Sequence, residues 1–93
     1  MFIHLAVHHP RPGHEADLLS SMTRVAEAAK DAPGLIRMDA WRDQLSGRLV
    51  GLALWADQES FAHSADRIFE TVANDPFHQW CERSPEVFHL IEP

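Results

Sequence analysis

Residues 35–55 read LIRMDAWRDQLSGRLVGLALW. Two apolar-rich runs flank DQLSG, a five-residue stretch of turn formers. That pattern predicts two strands, 35–42 and 48–55, joined as an antiparallel hairpin. A hairpin at the centre of the chain organises what lies on either side. Upstream, APG at 32–34 closes a helix predicted over 14–31, whose Leu18, Leu19, Met22, Val25, Ala26 and Ala29 share one stripe. Before it, FIHLAVHH at 2–9 alternates like a strand and stops at HPRPG, where two prolines cannot donate to a ladder. Downstream, Asp57 is a suitable N-cap for a second helix striped by Phe61, Ala65, Ile68, Phe69 and Val72. NDP at 74–76 breaks it and starts a short helical piece that runs to about Arg83, with Pro76 at its first position. Residues 86–91 form a last strand. The order β-α-β-β-α-β predicts an α+β, ferredoxin-like domain spanning residues 1–93: a four-stranded antiparallel sheet with both helices on one face.

Composition narrows the partners. Of 93 residues, 14 are acidic and 8 basic, a net charge of −6 with neutral histidines. No basic stripe is available to displace counterions from a phosphate backbone, so neither nucleic acid nor an anionic membrane is expected as a partner. No run is apolar for long enough to span a bilayer. The single cysteine, Cys81, has no internal partner, and the start of the chain lacks a basic region ahead of its apolar run. A cytoplasmic protein is expected.

Alternation divides the strands into two sets. Ile3, Leu5, Val7, Ile36, Met38, Ala40, Val50, Leu52, Leu54, Phe88 and Leu90 are assigned to the helix-covered face. The other set holds Phe2, His4, Ala6, His8, Leu35, Arg37, Asp39, Trp41, Leu49, Gly51, Ala53, Trp55, Val87, His89 and Ile91. Such an apolar second face would need a cover, and a second copy of the sheet is the simplest one. A homodimeric α+β barrel is therefore expected. Its mixed apolar and polar lining would make a pocket for a small aromatic molecule.

At GRLVGLALWADQESFAHS the chain resembles the antibiotic biosynthesis monooxygenase (ABM) family: a strand ending in Trp, an acidic helix start, then Phe and His in the helix. APGLIRMDAWRD before it and DPFHQW after it are similar to the same family. The resemblance implies the ferredoxin-like fold paired as a dimeric barrel. It also implies a class containing oxygenases that convert phenolic polyketides to quinones without metal or flavin, haem-degrading enzymes, and members with no established activity. Trp55 matches the family's strand-end Trp, and His63 its helix His. Ala53 stands where a Glu is common, the chain has no Tyr, and its first strand lacks the Asn of the haem-degrading branch.

Chemistry then rests on the histidines. His4 and His8 share a face but lie about 13 Å apart along a strand, too far to ligate one ion, so no metal is expected. His4 is a candidate general base, because imidazole titrates near neutrality. His89 is the second candidate, since first and last strands are neighbours in this fold. Arg37 is a donor for developing negative charge. Phe2, Trp41 and Trp55 would form aromatic walls, with Asp39 orienting a polar group and His63 near the mouth. The remaining histidines, 8, 9, 14 and 78, read as solvated or rim residues. The foremost functional reading is a cofactor-independent monooxygenase acting on a hydroxylated aromatic. The alternatives are a non-catalytic dimer that binds a small ligand and, third, a haem-handling protein.

Overall fold

The computed structural model describes residues 1–93. Its elements are β1 (Phe2–His8), α1 (Glu15–Ala29), β2 (Leu35–Arg42), β3 (Leu49–Trp55), α2 (Gln58–Glu70), α3 (Phe77–Trp80) and β4 (Glu86–Ile91). The sheet order is β2-β3-β1-β4 and every neighbouring pair is antiparallel. This is the ferredoxin-like arrangement expected from the element order.

Local chemistry sets the boundaries. The Asp57 carboxylate accepts from the Ser60 backbone N–H at 2.8 Å and starts α2. After α1 the chain turns at Gly34, whose φ of 84° suits a residue without a side chain. A Cβ there would also collide with Ser60, so the turn sits directly against the first turn of α2. Asp75 does not cap α3. Its carboxylate pairs with Arg24 of α1, and Pro76 occupies the N-cap position, one residue earlier than expected.

The two faces of the sheet are reversed relative to the sequence expectation. Phe2, Ala53 and Trp55 lie under the helices, packed with Ala29, Ala32 and Ile68. A second cluster joins Leu18, Leu49 and Cys81. The face bearing Ile3, Leu5, Val7, Val50, Leu52 and Leu54 has no helix over it. The strands had been grouped correctly for β1, β3 and β4: registers such as Phe2↔Trp55, His4↔Ala53 and His4↔His89 keep those residues on one face. Alternation fixes which residues travel together but not which set meets the helices, and here both sets are apolar.

β2 departs in a second way. Its register with β3 slips between Leu35 and Arg37. Leu35 still pairs with Trp55, but Arg37, Asp39 and Trp41 then pair with Leu54, Leu52 and Val50. A bulge consumes one extra residue and reverses the phase of everything after it. Arg37, Asp39 and Trp41 therefore stand on the open face, and Met38 faces the helices beside Ala53. The open face carries exposed apolar side chains, with Trp41 at 50%, Phe88 at 45% and Leu90 at 42% of full exposure.

Candidate functional site

The helix side of the sheet is not fully packed. A cavity of about 780 Å³ lies between it and the helices. Its floor is built from the small residues Ala6, Gly51 and Ala53 on β1 and β3, and its roof from Met22, Val25 and Ala26 of α1. The floor approaches the roof closely: a Cβ on Gly51 would come within 3.4 Å of the Met22 methyl. Phe69, Val72 and Phe77 close the sides. A mostly apolar hollow of this size, with a few polar groups, suits a small molecule. The expected pocket on the opposite, uncovered face is thus corrected: the hollow lies within one chain, beneath its helices.

His4 borders this cavity. Its Nδ1 lies 2.9 Å from Nε2 of His89, its cross-strand partner. Aromatic rings surround the pair. Phe61 stacks on His4 at 5.2 Å between centroids, Phe69 tilts against it at 5.4 Å, and Phe2 meets His89 at 5.0 Å. Burial first, then the charges that His89 and His8 would carry, pull the His4 pKa from 6.5 down to about 4. His4 is therefore a neutral imidazole at pH 7. One nitrogen of the 2.9 Å contact carries the proton and the other accepts it, so a proton gained at His4 Nε2 can leave through Nδ1 to His89. His89 does not border the cavity; it stands on the exposed edge strand β4.

The other predicted residues are spread over the fold. Phe2 and Trp55, 2% and 1% exposed, support the aromatic cluster from behind without bordering the cavity. Trp55 Nε1 is the one buried side-chain nitrogen or oxygen without a hydrogen-bond partner. Arg37 and Trp41 belong to the open face, where the Arg37 guanidinium sits 5.6 Å from the Trp41 ring centre. Asp39 reaches the cavity edge, but its side chain stands with them on the open face, where Arg37 holds the carboxylate. His63 is exposed on α2, outside the cavity.

Two of the remaining histidines also differ from expectation. His9 is buried, with Nε2 2.7 Å from the Glu86 carboxylate. The chain beyond β1 keeps pairing with residues 80–82, through Arg11 N–H to Trp80 O and Glu82 N–H to His9 O, and this covers His9. His8 is half-buried and lines the cavity; burial, then the His9 charge, lowers its pKa. Cys81 is buried and its thiol pKa is pushed up, mainly by that burial, which makes it a poor nucleophile. No three His, Cys, Asp or Glu side chains converge as a metal-binding group.

Sequence reasoning missed the cavity's walls. Met22, Val25 and Phe69 were read as core stripe, and nothing in their spacing distinguishes a stripe that fills space from one that roofs it. The small residues Ala6, Gly51 and Ala53, aligned across two strands, were the available signal.

Comparison with known proteins decides the family. The antibiotic biosynthesis monooxygenase family model matches residues 1–83. The chain belongs to that family. The match ends before β4, so His89 lies beyond it. ABM-type folds recur among solved structures. Rv0793 from Mycobacterium tuberculosis superposes with a TM-score of 0.84 at 15% identity, covering 99% of this chain and 94% of that one. A conserved protein from Methanosarcina mazei Go1 gives 0.84 at 14%, with 99% and 92% covered. A crystal structure described as an antibiotic biosynthesis monooxygenase gives 0.79 at 18%, with 100% and 99% covered. At these identities the likeness concerns the fold. No curated protein matches the sequence.

Proposed function

We propose that this ABM-family chain, acting as a single domain of residues 1–93, is a cytoplasmic, homodimeric monooxygenase that needs no cofactor. It oxidises a small hydroxylated aromatic with O₂ inside the helix-side cavity. The observation that carries the reading is the His4–His89 pair set at an apolar cavity and walled by phenylalanines. His4 Nε2 takes the proton of a phenol or enol, and the Nδ1 proton moves to His89 and on to solvent. The resulting anion gives one electron to O₂. The two radicals combine to form a C–O bond, the peroxide anion takes back one proton, and the hydroperoxide loses water to leave a carbonyl. One O₂ thus converts a ring C–H opposite a hydroxyl, or an activated CH₂, into C=O with release of one water. A dry, aromatic-lined cavity favours charge transfer to O₂ over competing hydrolysis. The homodimer is supported by the exposed apolar face and by the family's common dimeric assembly.

A second reading, a non-catalytic small-ligand binder of the same architecture, is favoured by one observation. A conjugate acid with a pKa of about 4 makes His4 a weak base, so substrates must be readily ionised for turnover to occur.

Oxygen uptake by chelator-treated protein against naphthols, anthrones and quinols tests both. The oxygenase reading expects saturable uptake that falls about 10²–10⁴-fold in His4→Ala, with a smaller loss in His89→Ala. Ligand binding without uptake, from folded protein across the whole panel, would establish the binder instead.

A further inference from the structure

We infer that the cavity takes a hydroxylated aromatic of two or three fused rings bearing a carboxylate at the end remote from the reacting hydroxyl, with Arg11 and Arg83 holding that carboxylate. The inference rests on the cavity being a small-aromatic site and names the class of molecule it selects.

The argument starts from how the arginines are used. Arg24, Arg37 and Arg42 are paired with Asp75, Asp39 and Glu15. Arg67 donates to the Ala28 carbonyl. Only Arg11, Arg48 and Arg83 make no side-chain hydrogen bond or ion pair, and two of these three border the same cavity. Four of the eight lysines and arginines are paired with a carboxylate, whereas the exposed guanidiniums of Arg11 and Arg83 border the cavity without one and are free to take a ligand's anion. Their placement comes from the backbone. Arg11 is fixed by its N–H to the Trp80 carbonyl at 2.7 Å, and Arg83 follows directly after the paired segment 80–82. The guanidinium fork matches carboxylate geometry, which a neutral phenol cannot exploit.

The cavity is polar at both ends and apolar between. His4 and His8 both border it and are separated by four residues of β1, about 13 Å of strand. His4 marks the reacting end. His8, Arg11, His78 and Arg83 belong to the other, because the chain after β1 pairs with residues 80–82; Glu82 is the carboxylate there without a partner. The Asp39 carboxylate does not count here, because it is paired with Arg37 on the open face of the sheet. Ala6 lies between the two ends on β1, and with Gly51 and Ala53 it makes a floor without large side chains. A flat ring system can lie along such a floor, beneath Met22 and Val25. A single ring would be too short to touch His4 and Arg11 together.

Anaerobic fluorescence titration tests this without requiring turnover. The probes are 6-hydroxy-2-naphthoate and 2-naphthol, which differ only in the carboxylate. The proteins are the unaltered chain, Arg11→Gln, Arg83→Gln, the double variant, and Arg48→Gln. The acid is expected to bind about tenfold more tightly than the naphthol, and added salt should erode only that difference. The preference should shrink in each single variant, vanish in the double variant and persist in Arg48→Gln, with naphthol affinity unchanged throughout as the measure of an intact cavity. Equal affinities in the unaltered protein, or a preference that survives the double variant, overturns the anionic end while leaving the aromatic cavity standing. Failure of both probes to bind overturns the cavity's assignment as well.

Discussion

The two faces of the sheet are made from nearly the same vocabulary of Ile, Leu, Val, Phe, Ala and Trp, yet they do different things. The face under the helices buries Phe2 and Trp55 at one end and leaves a cavity floored by Ala6, Gly51 and Ala53 at the other. The open face keeps larger aliphatics, Ile3, Leu5, Leu52 and Leu54, and fills no space within the chain. Residue size separates the two roles more clearly than polarity does. Small side chains beneath a helix make a compartment, whereas branched ones on a bare sheet make a surface suited to a flat partner.

If that contrast holds, substitutions on the two faces should fail differently. The largest effect is expected from Leu5→Asp, which puts a charge at the centre of the open face. Sedimentation should show the two-chain mass falling to one chain, while Met22→Ala, inside the cavity, leaves the mass unchanged. Next in size is Ile68→Ala beneath the helices. Ile68 is fully buried, so a loss of about 2–5 kcal/mol should appear in urea unfolding followed at constant protein concentration.

A smaller effect comes from pH. His4 is held at a pKa of about 4, against 6.5 in an unfolded chain. Between those values the unfolded state binds a proton that the native state refuses. Stability should therefore be level above about pH 7, fall as pH drops through 6.5, and stop falling on this account near pH 4. His4 is only half-buried, so the expected loss is about 1–2 kcal/mol after screening. The shift at His8 acts in the same direction. His4→Phe should flatten most of that slope in urea midpoints measured from pH 8 to 4. The smallest effect is expected for Arg37→Ala. Its ion pair with Asp39 is exposed and lies across the sheet from His4, so stability should change by less than about 1 kcal/mol. Oxygen uptake should not change; a large drop would place charge stabilisation on the open face and break the comparison.

The topology was readable because turn chemistry is local: DQLSG, APG and the Asp57 cap each act within a few residues. The His4–His89 contact was readable as a candidate from strand adjacency, and the register then completed it. The covering of the faces was not readable, since both sets of strand residues are apolar and alternation carries no sign. Nor was the placement of Arg37, Asp39 and Trp41. It depends on the bulge at Ile36, and the residues just after it, 36–40, alternate apolar and polar with nothing to mark the slip. Arg11 escaped notice because it lies between two prolines, where a loop was expected, and its position depends on pairing with residues some seventy places later.

The floor of Ala6, Gly51 and Ala53 has a consequence for shape. Ala6 and Ala53 carry a single methyl each and Gly51 none, and a methyl added at Gly51 would already come within 3.4 Å of Met22. Single substitutions on this floor therefore change the shape of the hollow, whereas the fold around it is one that solved structures share at 14–18% identity. The shape of the hollow and the persistence of the architecture thus rest on different residues.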